Sequence, residues 1–153
     1  MIINNRNLRA LLLASALCLA LVWLSLAAAQ SPGGAGTFTD SRDGKTYNTV
    51  KIGKQTWMAE NLNYGTSSGS WCYNDRDSYC KKYGRLYEWE TAKKTCPSGW
   101  HLPSRQEWEA LVTYAGGYEA AGKRLKSTIG WNDSGSGTDD YGFSALPGGG
   151  RYY

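Results

Sequence analysis

Residues 10–26 constrain this chain more than any other stretch. Leu and Ala dominate them, interrupted by Ser15, Cys18 and Ser25, with Arg6 and Arg9 ahead and Ala27-Ala28-Ala29 behind. A basic start, an apolar run and small residues where a signal peptidase reads make residues 1–29 a cleavable secretory leader, with Gln30 opening the mature chain. The same run is about long enough to cross a bilayer as a retained anchor. The small residues that close it, and the turn-rich sequence beyond, favour cleavage. Cys18 lies inside the run behind bulky Leu17, the wrong place and neighbour for lipid attachment. The folding unit is therefore expected within residues 30–153, a length suited to one domain with one core. Its expected location is secreted, periplasmic or on the cell surface, with no membrane contact after cleavage.

Charge narrows the partners. The whole chain carries 17 basic and 13 acidic residues, and setting aside Arg6 and Arg9 lowers its net charge from +4 to +2. That is too mild for a nucleic-acid binder, and no run of Lys or Arg exceeds two. Aromatic residues are plentiful: 7 Trp and 11 Tyr against 2 Phe. Such a balance favours amphipathic rings near the surface as well as in a core.

Cys72, Cys80 and Cys96 remain after the leader. In an oxidising compartment, nearby thiols pair by default. Cys72 and Cys80 flank a polar segment, Tyr73-Asn74-Asp75-Arg76-Asp77-Ser78-Tyr79, that reads as a loop. A bridge closing so short a loop adds about 2–3 kcal/mol. Cys96 is then left over as a free thiol, a link to another chain, or half of a bridge. His101 is the only histidine, so no His pair or triad can form. Cys96 and His101 lack an evident orienting group for thiol–imidazole chemistry and read as structural. Glu88/Glu90 and Glu107/Glu109 are spaced i, i+2 and point to different helix sides, a poor acid–base pair.

The remaining pattern is mixed. Residues 30–39 (QSPGGAGTFT) read as a flexible linker. Residues 47–52 and 55–58 read as strands joined by a Gly53-Lys54 hairpin turn, and residues 61–70 as a loop. A helix is expected over residues 86–94, with Leu86, Trp89 and Ala92 on one side, ending before Pro97 and Gly99. A second helix opens on a capping box, Ser104 with Glu107. Trp108, Leu111, Val112 and Ala115 repeat at helical spacing on one core-facing side until Gly116-Gly117. Residues 132–140 are a Gly, Ser and Asp loop, and Tyr141-Gly142-Phe143-Ser144-Ala145-Leu146-Pro147 is apolar again.

Several blocks in order carry a family resemblance. They are Asp43-Gly44-Lys45-Thr46-Tyr47, Ile52-Gly53-Lys54-Gln55-Thr56-Trp57-Met58-Ala59-Glu60-Asn61-Leu62, Tyr83-Gly84-Arg85-Leu86-Tyr87, Cys96-Pro97-Ser98-Gly99-Trp100-His101-Leu102-Pro103 and Gly142-Phe143-Ser144-Ala145-Leu146-Pro147. Residues 40–153 thereby resemble the Fibrobacter succinogenes major paralogous domain, whose members are exported bacterial proteins. The resemblance implies an α+β, C-type-lectin-like fold, with two helices packed on short antiparallel strands and a loop-rich remainder. In that fold the Cys that closes the first helix pairs with a Cys near the domain's C-terminus. Family members run on into aromatic strands ending in Val-Arg-Cys, so the chain is expected to be C-terminally incomplete, which would leave Cys96 unpaired.

The reading of function follows from these pieces. The expectation is a non-catalytic exported binding or adhesion module whose partner is a carbohydrate or a cell-surface protein. Trp71, Tyr73, Tyr79 and Trp131, in or beside expected loops, are the candidate ligand-binding rings, and packing beneath a loop is the competing role for each. No cofactor is expected. Calcium is the one ion to consider, with Asp133, Asp139 and Asp140 as hard oxygen donors. Solvated turn residues are the competing reading. Trp131-Asn132-Asp133 matches a tripeptide of calcium-dependent lectins but lacks the companion loop those use. An enzymatic alternative exists because Leu102-Pro103-Ser104-Arg105-Gln106-Glu107-Trp108-Glu109 resembles a segment of formylglycine-generating oxidases. That segment is a helix cap there, and their reactive cysteine pair has no counterpart here. A structural surface protein is the third reading.

Overall fold

The structure is a computed structural model that describes residues 1–4 and 34–152. Most of the expected leader, residues 5–29, and residues 30–33 of the expected linker lie outside the described residues.

Alternation of apolar and polar side chains builds the sheet. The strands are β1 (Ile3–Asn4), β2 (Ala35–Thr39), β3 (Thr46–Ile52) and β4 (Gln55–Met58), all antiparallel in the order β1-β4-β3-β2. The expected β3–β4 hairpin is present: Ile52 faces Gln55 across the turn, and Gly53 takes the positive φ of 60° that a tight reversal needs. Residues 35–39 belong to β2 rather than to a linker. Their Thr-Phe-Thr stretch suits a pleated surface, and the β3 edge satisfies their backbone from Ala35↔Val50 to Thr39↔Thr46.

Both faces of this sheet are covered. On one side Ile3, Val50, Ile52 and Trp57 pack with Leu111, Ala115, Ala121, Leu125 and Phe143. On the other, Ile2, Tyr47 and Met58 pack with Leu62 and Trp100. Period-two alternation sends Ile2 and Ile3 to opposite faces, one into each core.

The segment between the two cysteines is more ordered than a loop. A second small sheet pairs β5 (Ser70–Trp71) with β6 (Leu86–Tyr87). Between them run a 3-10 turn (Tyr73–Asp75) and helix α1 (Asp77–Tyr83), and the Cys72–Cys80 disulfide expected from the sequence ties turn to helix. Asp77 sits favourably in the first turn of α1, and Lys81 and Lys82 in its last.

Helix α2 spans Trp89–Thr95, later than the expected start at residue 86. Leu86 and Tyr87 pair with β5 instead, and the Tyr87 hydroxyl donates to the carbonyl oxygens of Tyr64 (2.7 Å) and Leu62 (3.3 Å). Helix α3 (Arg105–Tyr114) matches the sequence reading in its bounds and in both halves of the Ser104/Glu107 capping box, but Trp108, expected on the core side, is 40% exposed and meets the core through Trp57, with ring centres 5.0 Å apart. Helix α4 (Tyr118–Leu125) is an element the sequence reading does not contain. Its Ala121 and Leu125, one turn apart, drop into the core. No helix among the described residues is long and apolar enough to cross a membrane.

A buried ion pair locks the β2–β3 corner to α2. Asp40 is 1% exposed and is gripped by Arg42 through Nε (2.8 Å to Oδ1) and Nη2 (2.6 Å to Oδ2). Arg42 Nη1 also donates to the Thr95 carbonyl at 2.8 Å, and the guanidinium lies 3.9 Å over the Tyr64 ring.

Candidate functional site

A candidate recognition surface lies where β5, β6, the start of α2 and residues 150–152 meet. A cleft of about 390 Å³ is lined by Trp71, Leu86, Tyr87, Glu88, Trp89 and Arg151. A smaller hollow of about 250 Å³, sharing Leu86 and Arg151, continues past Asn74, Asp75 and Tyr152. Trp71 is half-buried, and its ring is overlaid by the Arg151 guanidinium at 4.8 Å. Asp75 holds that guanidinium with an Nη1–Oδ1 contact of 2.6 Å. Trp89, at the head of α2, is 68% exposed, with the Lys93 ammonium 5.9 Å from its ring centre. The ring stands open to solvent at the lip of the cleft. Sequence reading placed Trp89 on a core-facing side of its helix. The helix starts later than expected, and the ring turns to solvent.

The other expected rings divide between site and scaffold. Tyr73 and Tyr79 flank the disulfide and meet edge to face at 5.5 Å, and Tyr79 stacks on Tyr83 at 6.0 Å. Gly149 is held against the Tyr73 ring: a Cβ there would stand 2.6 Å from it, and its φ of 73° already favours glycine. Neither Tyr73 nor Tyr79 lines the cleft that holds Trp71. Trp131 lies apart from this cluster, donating from Nε1 to the Ala145 carbonyl at 3.0 Å with the Lys126 ammonium 4.5 Å over its ring. It packs a loop.

The expected acidic donors are engaged locally. Asp139 accepts from the Ser144 amide (2.7 Å) and hydroxyl (2.5 Å), with its own φ at 49°. Asp140 lies 3.5 Å from Arg124 Nε, and Asp133 is an exposed turn residue with φ of 51°. Among the described residues no group of three or more His, Cys, Asp or Glu is placed to hold a metal.

Cys96 is a half-buried free thiol whose pKa burial pushes up, and its Sγ faces the Ala92 carbonyl. His101 Nε2 lies instead 2.9 Å from Glu107 Oε1. Burial works against ionising Glu107, but the Ser104 amide, His101 and the Ser104 hydroxyl outweigh it and hold its pKa below the ordinary carboxylate value. Cys96 and His101 therefore serve different elements. Glu90 pairs with Lys93 and Glu109 with Arg105, each on its own helix. A groove of about 780 Å³ between β2–β3 and residues 127–146 contains Asp139 and Asp140 and one aromatic ring, Tyr141.

Residues 50–153 match the sequence model of the Fibrobacter succinogenes major domain. The chain belongs to that family. No curated protein matches it, and no solved structure does. In this member of the family, the blocks that carry the resemblance build scaffold. Gly84 has φ of 75°, and a Cβ there would stand 2.8 Å from the Asn61 carbonyl. Trp100 belongs to one core, while Trp57 and Phe143 belong to the other with ring centres 5.7 Å apart. Of the cleft residues, Leu86 and Tyr87 fall inside those blocks, whereas Trp71, Asp75, Trp89 and Arg151 fall between or after them.

Proposed function

We propose that the chain is an exported, non-catalytic binding module whose Trp71–Trp89 cleft takes a carbohydrate chain. The observation that carries this reading is the 68% exposed Trp89 beside the Arg151-covered Trp71, with carboxylates and an amide around the same cleft. Sugar rings offer an apolar face of axial C–H bonds and a rim of hydroxyls. Indole rings stack on the former, and Glu88, Asn74, Asp75 and Arg151 supply donors and acceptors for the latter. An antiparallel sheet flanked by helices, with the cleft built from turns and short strands, suits the C-type-lectin-like placement that the resemblance implies. Export is supported by the leader and by the disulfide, which belongs to an oxidising compartment.

Retention on insoluble polysaccharides, followed by a glycan array, tests the reading. Wild-type chain is expected to bind at least one glycan, and Trp89→Ala to lose at least about tenfold in affinity while melting normally. Unchanged binding by that variant would remove the cleft from the account. Export is checked separately: the amino terminus of protein recovered outside the inner membrane should lie at or near Gln30.

A further inference from the structure

Leu86, Gly150 and Arg151 line both hollows of the candidate site, so the Arg151 guanidinium stands at the divide between them. Among the described residues it is the one basic side chain lining either hollow, and it is already engaged. Asp75 Oδ1 lies 2.6 Å from its Nη1, and the Trp71 ring centre lies 4.8 Å from its carbon. Glu88 adds a second carboxylate to the lining of the larger hollow. Lys93, beside Trp89, pairs with Glu90 at 2.7 Å. An anion entering here meets two carboxylates and a guanidinium whose charge is already answered. The backbone is set to keep Asp75 in place. Asn74 and Asp75 both take left-handed φ values, 52° and 53°, a conformation that Asn and Asp tolerate better than other side chains. The Asp75 amide donates to the Cys72 carbonyl at 3.0 Å, and Cys72 is bonded to Cys80. The disulfide-braced turn thus sustains two residues in a costly conformation, and a carboxamide and a carboxylate line the smaller hollow as a result.

We propose, resting on the carbohydrate reading of the cleft, that it selects a neutral glycan of at least two consecutive sugar units and that Asp75 sets this selection. One unit stacks on the open Trp89 ring in the larger hollow. Its neighbour, beyond Arg151, offers adjacent hydroxyls to the Asp75–Arg151 pair: the carboxylate accepts from one, and a guanidinium N–H donates to the next. Asn74 does either through its carboxamide. Hydroxyls donate and accept alike, which matches a site built of both kinds of group. The charged group of a uronate or a sulfate ester only accepts. Asp75 has already neutralised the guanidinium it would seek, and the two carboxylates repel it. The indole platform and the polar pair line different hollows, so two linked units are needed to use both at once.

Calorimetric titration with neutral glucan, xylan and mannan oligosaccharides of increasing length tests this, together with retention on polygalacturonate and dextran sulfate. The protein should bind at least one neutral series, with affinity rising at least about tenfold from the monosaccharide to the trisaccharide. Neither acidic polymer should retain it at physiological salt. Asp75→Asn keeps the size of the side chain and suits the left-handed backbone, but removes the charge that neutralises Arg151. It should weaken neutral-glycan binding at least about fivefold and create a retention on polygalacturonate that added salt removes. Arg151→Gln on that background should abolish the new retention. A parent that prefers either acidic polymer, equal affinity for monosaccharide and trisaccharide, or an Asp75→Asn chain with the parent's selectivity overturns this selection. The cleft reading fails differently: Trp89→Ala then binds as the parent does, or the protein takes no glycan of either class.

Discussion

The Arg42 guanidinium holds the Asp40 carboxyl below its ordinary pKa through paired side-chain hydrogen bonds, against the opposing effect of burial. A carboxylate whose folded pKa is depressed contributes stability above its unfolded value, and that contribution is lost as pH falls through the folded pKa. Stability measured by chemical denaturation should therefore fall below about pH 4, where unfolded aspartate begins to protonate. Arg42→Ala leaves a buried carboxylate without its partner and also frees the Thr95 carbonyl at the end of α2. It should cost about 2–4 kcal/mol at pH 7. The Asp40 contribution to this acid sensitivity should vanish, because the depressed pKa depends on Arg42. An Arg42→Ala chain as stable as wild type at pH 7 would mean that exposure of the guanidinium cancels the pair. Trp89 makes the contrasting case at this scale. Its ring is mostly in water, so Trp89→Ala should leave the melting temperature nearly unchanged while weakening polysaccharide retention.

Helix α3 is where sequence and structure agree most fully, and the reason is local. Ser104 and Glu107 satisfy each other's orphan amides, and the Leu111 and Ala115 spacing places both in the core. Ser104→Ala removes one side of that exchange and should cost about 1 kcal/mol, read as a lower midpoint in urea with an unchanged slope. Elements fixed by distant partners were less legible. Residues 86–87 have helix-compatible composition, yet β5 captures them as a strand. Residues 35–39 read as linker until the β3 edge is present to pair with them. The turn and helix between Cys72 and Cys80 are hidden behind polar residues, and the signal available for α1 was the Tyr79 and Tyr83 spacing. For the candidate site, the sequence pointed to Trp71, Tyr73 and Tyr79; the structure places Trp71 in the cleft lining and sets Tyr73 and Tyr79 against each other beside the disulfide. The sequence missed Trp89 as a surface ring, since an amphipathic pattern says which residues can share a face and not where the helix begins.

At the scale of the whole molecule, the packed cores and the proposed binding cleft are different regions. The two cores lie on either face of the β1–β4 sheet, and Trp71, Trp89, Cys72 and Cys80 belong to neither. The cleft is instead assembled from two-residue strands, a 3-10 turn and seven-residue helices. Hydrogen bonds tie it to the body, among them those of the Tyr87 hydroxyl, Asn61 Nδ2 to the Tyr83 carbonyl at 2.9 Å and the Arg85 amide to the Leu62 carbonyl at 3.0 Å, while the disulfide braces the cleft's own wall. Elements so short hold little structure without such ties. Replacing Cys72 and Cys80 together by Ala should therefore cost about 2–3 kcal/mol, the value for closing a loop of this length. The loss should be uneven. Cooperative melting of the two-faced core should persist at a lower temperature, while the near-UV signal of the tyrosine cluster and polysaccharide retention fall together. Hydrogen exchange should localise the change, with faster exchange in residues 70–83 and little change in β3, β4 and α3. Uniform acceleration across β3 and α3 would show that the cleft and the core unfold as one unit, and that the disulfide supports the whole fold rather than its binding wall.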